Sequence, residues 1–339
     1  MLLWLGELTA ASWVLSYGAE HLSMKYGAKF VGRTLLSVAT TLPEIAIVVY
    51  AAAGGFYGTA IGAGLGSNLL MMTLGLAVML LVATTRLSKS PLKGIDVSTF
   101  KLDKIFLLAT AVVSALLFLD GYNYIDGFIF AGMFVAYLVM ALVEMQADKK
   151  KAKAAKTETA GGHKVVEVQH AQVSSRTMLK AALAFAAGTA GIFFGAGPFI
   201  HSLEGFSTEV GISVIILAVI ISPIAGEMPE KISMILLARK GAAGASIAVA
   251  NVLGSKILNN TLLLAVAVFG AMYHGGFFVS IEANPILEYQ MILVTAVTLI
   301  AVGMMFKKEI GLKIGIILAV MYGISLVIQF LLPQDLTLH

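Results

Sequence analysis

Two glutamates each follow a proline inside a long apolar stretch, as Pro43-Glu44 and Pro229-Glu230. A carboxylate at membrane depth is costly and needs a partner, a proton or a cation. The preceding proline lacks a backbone N–H and obstructs the helical bond to the carbonyl four residues back, which frees oxygen near the acid. Thr40 and Thr41 add hydroxyls about one turn before Glu44, and Glu227 adds a carboxylate about one turn before Glu230. Carboxylate, carbonyl and hydroxyl oxygens together suit a hard cation such as Ca²⁺ or Na⁺. Glu44 and Glu230 are therefore the candidate metal ligands. The plainer reading of one such pair is a kinked helix whose glutamate is hydrogen-bonded for packing; two pairs at matching places weigh against it.

Each acid is followed by a stretch rich in small residues, Gly62-Ala63-Gly64-Leu65-Gly66-Ser67-Asn68 and Asn251-Val252-Leu253-Gly254-Ser255-Lys256. Small residues let helices approach closely in lipid. Ser67, Asn68, Asn251, Ser255 and Asn259 are read beyond that as further oxygen ligands or their supports. Gly62-x-Gly64-x-Gly66 is no dinucleotide fingerprint, because no strand precedes it. Two lysines also lie in apolar stretches, Lys231 directly after Glu230 and Lys256 after Ser255. Set against Glu44, Glu227 and Glu230, they leave a local charge of about −1, thin for a divalent ion. Lys256 and Lys231 are read as coupling or charge-substituting residues, Lys256 as a partner of Glu227 or Glu230 that substitutes for a cation or takes part in proton coupling. The alternative is a snorkelling lysine or a fixed structural ion pair.

The elements that must position these groups are membrane helices. The chain of 339 residues is 59% hydrophobic and only 12% charged, with a mean hydropathy of +0.92. Ordinary soluble domains carry roughly 25% charge, so a soluble enzyme or a nucleic-acid binder is excluded as the default. Long continuous apolar runs also exclude a membrane β-barrel, which needs alternation. Zero cysteines exclude a disulfide framework and thiolate chemistry. The six histidines are scattered without metal-ligand spacing, and no hydrolase motif is present.

Ten stretches are long enough to span the bilayer, at about 2–20, 30–53, 58–84, 104–120, 126–145, 178–200, 210–238, 243–272, 288–306 and 312–332. With the N-terminus outside, every one of the 23 Lys and Arg residues except Lys231 and Lys256 falls at a cytoplasmic loop or its flanks. The opposite loops and the tail carry acids only, among them Asp120, Asp126, Glu204, Glu282 and Asp335. This predicts an all-α polytopic protein of the inner or plasma membrane, with both termini outside. Residues 148–176, which include Lys149, Lys150, Lys151, Lys153 and Lys156, read as a solvated cytoplasmic linker. They separate a first five-helix repeat, 1–147, from a second, 177–339. An odd number of spans per half inserts the second repeat upside down.

Ala39-Thr40-Thr41-Leu42-Pro43-Glu44, Gly226-Glu227-Met228-Pro229-Glu230 and the two Gly-Ser turns resemble the α-repeats of the cation/Ca²⁺ antiporter superfamily, the Na⁺/Ca²⁺ and H⁺/Ca²⁺ exchangers. The resemblance covers essentially all ten spans. It implies a secondary antiporter exchanging Ca²⁺ or a related cation for H⁺ or Na⁺ by alternating access, with no cofactor and no enzymatic activity. Its partners would be inorganic cations and the bilayer, with no nucleic acid. Against the family pattern, Ala63 stands where Asn is usual, Met71 replaces an amide or acid, Glu227 replaces Asn, and Lys256 replaces Asn or Asp. Ala63, Met71 and Lys256 favour the alternative of a transport-inactive cation sensor or scaffold with the same fold.

Overall fold

A computed structural model describes residues 1–23, 36–158 and 175–332. Lys25, Lys29, Arg33, most of the basic linker and Asp335 lie outside the described residues. Where described, the chain is almost wholly helical: α1 (Leu2–Ser23), α2 (Leu36–Ala53), α3 (Tyr57–Thr84), α4 (Lys101–Leu117), α5 (Tyr124–Glu158), α6 (Ser175–Val210), α7 (Val214–Gly226), α8 (Met228–Ala238), α9 (Ala242–Gly275), α10 (Pro285–Met304) and α11 (Leu312–Leu331). Among the described residues, seven helical stretches are long and apolar enough to cross a membrane. Val214–Gly226 and Ala39–Ala53 are shorter apolar helices.

Several boundaries differ from the sequence expectation. The expected span 210–238 is two helices, because the chain turns at Glu227 between α7 and α8. Pro229 falls in the first turn of α8, where a missing N–H costs nothing. Pro43, by contrast, lies within the continuous α2, so the helix is not broken beside Glu44. The start of the expected linker, 148–158, continues α5. Its Ala, Lys and Glu residues are strong helix formers and extend the helix past the apolar stretch.

Burial grades from the centre outward. Within α3 and α9, 83% of the apolar window is buried, against 28% for α11. α5 and α11 each turn apolar side chains outward, Phe128, Val135 and Val139 on one and Ile316, Val320 and Ile324 on the other, faces suited to lipid rather than water. α1 packs along α6, α3 against α7, and α2 against α3, α6 and α9. At the α3–α7 crossing, a Cβ on Gly66 would collide with the Val219 backbone. At the α1–α6 crossing, a Cβ on Gly18 would lie 2.5 Å from the Phe185 nitrogen, and one on Gly188 would lie 2.5 Å from the Leu15 nitrogen. These approaches require small residues.

Loops from the two halves of the chain pair twice. A short antiparallel ribbon sets β1 (Ile95–Asp96) against β2 (Glu309–Ile310), and Lys104 Nζ donates to the Val97 and Met305 carbonyls at 2.9 Å each. Tyr122 and Ile281 form the other pairing, exchanging backbone bonds of 2.9 and 2.7 Å. Each pairing joins the loop after the third expected span of one half to the loop after the fourth of the other.

Candidate cation site

The central helices bring three carboxylates together. Glu44 projects from α2, Glu227 sits in the turn between α7 and α8, and Glu230 sits in the first turn of α8. All three are buried, and each offers a carboxylate oxygen within 4.8 Å of the others. Gly226 makes room for the first, since a Cβ there would stand 2.9 Å from Glu44 Cγ. The Pro223 carbonyl accepts the Glu227 N–H at 3.1 Å and Lys231 Nζ at 3.0 Å. Lys231 thus stabilises the end of α7, and its ammonium is directed to a backbone carbonyl.

α3 and α9 supply the polar groups. Ser67 Oγ lies 3.1 Å from Glu44 Oε1 and also contacts Glu227 Oε1. One hydroxyl carries a single proton and cannot serve both acids at once. Ser255 donates to Glu230 Oε1 at 2.6 Å. The ammonium of the buried Lys256 donates to Ser67 Oγ at 2.9 Å, pairs directly with Glu227 Oε1, and lies 3.8 Å from Glu230 Oε2. With the Asn259 amide turned to satisfy both its ends, its oxygen meets Ser67 Oγ at 2.6 Å and Lys256 Nζ at 3.2 Å, and its nitrogen meets the Ser255 carbonyl at 3.2 Å. Amide orientation is assigned from such networks. The Oε2 atoms of Glu44, Glu227 and Glu230 are buried and, among the described residues, have no hydrogen-bond partner.

The structure therefore gathers Glu44, Glu227, Glu230, Ser67, Ser255, Asn259 and Lys256. The other residues singled out in the sequence make different contacts. Thr40 and Thr41 hydroxyls donate to the Ser37 carbonyl at 3.3 and 2.7 Å. Asn251 Oδ1 accepts from Ser37 Oγ at 3.2 Å. Asn68 donates to Asn260 Oδ1 at 2.5 Å, and Asn260 donates in turn to Thr110 at 3.4 Å. Ser37, Thr110 and Asn260 escaped the sequence reading. Asn260 was the most accessible of them, as a second amide beside Asn259 in an apolar run.

Both central helices widen immediately after the site. A π-helical turn spans Met71–Gly75 in α3 and Asn259–Leu263 in α9. Single π-turns of this kind recur at functional sites. Each begins four residues after a serine whose hydroxyl contacts a glutamate, Ser67 with Glu44 and Ser255 with Glu230. Oxygen ligands of this type, with three carboxylates opposed by one ammonium, can hold a hard cation.

The sequence pattern of the sodium/calcium exchanger protein family matches residues 2–143 and 180–331. This chain belongs to that family. The exchanger pattern covers both halves and passes over the stretch between them. An uncharacterized membrane protein of Methanocaldococcus jannaschii is 21% identical over 311 residues, covering 91% of this chain and 90% of the relative. Among solved structures, the H⁺/Ca²⁺ exchanger CAX shares the fold with a TM-score of 0.75 at 20% identity, over 98% of this chain and 81% of the other. The sodium-calcium exchanger NCX_Mj matches with a TM-score of 0.62 at 21% identity, over 96% of each chain. Family and fold together make this exchanger-family chain an α-helical membrane protein.

Proposed function

We propose that the chain is a secondary antiporter that moves Ca²⁺ or a related divalent cation against H⁺ or Na⁺, with Glu44 and Glu230 as its principal ligands. The observation that carries this reading is the meeting of Glu44, Glu227 and Glu230 within 4.8 Å in the buried centre of a membrane protein. Charged groups there are retained for a purpose that offsets their desolvation. CAX and NCX_Mj exchange Ca²⁺ for H⁺ and Na⁺ respectively, and both counter-ions are carried over as expectations.

The proposed architecture is ten spans in two inverted five-helix repeats, 1–147 and 177–339, joined by the cytoplasmic stretch 148–176. The matching serine–glutamate bonds, π-turns and loop pairings support that symmetry. In the proposed cycle, each carboxylate holds either the cargo cation or the counter-ion, and that competition couples the two fluxes. The α1–α6 pair then moves against the other helices to expose the site to one side at a time. A second reading, a transport-inactive sensor or scaffold, is favoured by one observation: Lys256 already occupies oxygen contacts that a cation would use.

The test is ⁴⁵Ca²⁺ uptake into proteoliposomes under an imposed H⁺ or Na⁺ gradient. Gradient-driven uptake is expected, together with its near-complete loss in Glu44→Gln and Glu230→Gln. Binding without driven uptake under either gradient would establish the sensor reading instead.

A further inference from the structure

The internal repeat locates Lys256 and Glu227 more sharply than their burial does. Pairing Ser67 with Ser255 and Glu44 with Glu230, by their equivalent serine–glutamate contacts, sets Asn68 opposite Lys256 and Thr41 opposite Glu227. One half thus carries a neutral Thr and Asn where the other carries a Glu and a Lys. The two replacements touch each other, because Lys256 Nζ pairs directly with Glu227 Oε1. They add one negative and one positive charge, leaving Glu44 and Glu230 as the uncompensated pair. Lys231 does not alter the contact shell, since its ammonium is directed to the Pro223 carbonyl.

The environment of Lys256 Nζ is itself that of a bound cation. Its three protons meet oxygens of Ser67, Glu227 and Asn259, with Glu230 Oε2 at 3.8 Å. Ser67 belongs to the first half of the chain and the others to the second, so the ammonium bridges the halves. The three Oε2 atoms without hydrogen bonds are left over for a further ion. Three carboxylates against the one ammonium in contact with them amount to a formal charge of −2, enough to attract a divalent cation, while Lys231 at the Pro223 carbonyl acts on them only from beyond contact distance.

From these contacts we infer that Lys256 is a tethered cation: it fills a monovalent-cation position of the site permanently, so that the chain binds one divalent cation and no Na⁺. This rests on the reading of Glu44 and Glu230 as cation ligands, and it resolves that reading's choice of ions. Lys256 is here a specificity-determining residue rather than only a structural tie.

The experiment measures equilibrium binding of ⁴⁵Ca²⁺ and ²²Na⁺ to the purified full chain, so that it needs no transport. The wild type is expected to bind Ca²⁺, while Na⁺ neither binds nor competes. Lys256→Gln leaves Glu227 unpaired and should gain one Na⁺ per chain, binding at least about tenfold more tightly than to the wild type, as befits loss of one partner of a buried charge pair. Adding Glu227→Gln to that variant should abolish the gained Na⁺ binding. A structural tie would instead give variants that weaken together with no gain of Na⁺, and that result overturns the inference. Na⁺ binding or competition in the wild type overturns it without any variant. A wild type that binds neither ion overturns the exchanger reading, and this inference with it.

Discussion

A lysine with no exposed surface is among the costliest residues to bury. Lys256 is tolerated because its protons meet oxygen on every side and a carboxylate touches it directly. Removing one partner of such a pair strands the other, at a cost of about 3–5 kcal/mol. The site depends equally on a residue with no side chain. Gly226 stands against Glu44, and Gly226→Ala would place a methyl 2.9 Å from Glu44 Cγ. Overpacking of that kind costs about 1–3 kcal/mol; taken from cation binding, this is roughly tenfold or more in affinity. Calorimetric Ca²⁺ titration should therefore show weakened binding in Gly226→Ala and unchanged binding in Gly205→Ala, whose Cβ meets open space. Equal affinities in the two variants would separate Gly226 from the site.

At the scale of the element, similar motifs produced different local structures. Pro43-Glu44 sits within a continuous helix, while Pro229-Glu230 opens one. The difference follows from Gly226 and Glu227, which allow α7 to end and α8 to restart. The first half has Leu42 directly before its proline, preceded by Thr40 and Thr41, whose hydroxyls bond back to the Ser37 carbonyl within the same helix. A close helix crossing lies beside the site, where α3 meets α7 at Gly66. Gly66→Ala would drive a methyl into the Val219 backbone, which cannot move aside as a flexible side chain can. The expected outcome is a loss of at least about 1–3 kcal/mol, read as a lower midpoint for thermal unfolding in detergent. An unchanged midpoint would mean that α3 and α7 cross less closely.

For the whole molecule, the proposed orientation rests on the placement of charge, and the paired loops tie the halves together. The native chain has no cysteine, so single cysteines report sidedness without background. Asp120 and Lys308 are both exposed and lie in loops assigned to opposite faces. In sealed cells, Asp120→Cys should react with a membrane-impermeant maleimide, and Lys308→Cys should react only after permeabilisation. The reverse pattern would invert the proposed topology, and labelling of both would change the number of spans between them.

The membrane class, the placement of basic residues and the paired Pro-Glu motifs were legible along the chain, because hydropathy, charge and repetition are local properties. Glu44, Glu227, Glu230 and Lys256 could be singled out for the same reason: each is an ionisable group in an apolar stretch. Their partners were not legible. Ser67 reaches Glu227 across 160 positions and Lys256 across 189, and no local pattern encodes such separations. Sequence counting put both lysines in the site at about −1, whereas packing directs Lys231 to Pro223 and leaves the contact shell at −2. The break between α7 and α8, the π-turns and the amide chain of Asn68, Asn260 and Thr110 were likewise decided in three dimensions. Composition determined that this chain resides in a membrane and which groups are too costly to bury there without a role. Only the meeting of helices from both halves decided which charges face one another, because a buried charge is defined by neighbours that the rest of the fold supplies.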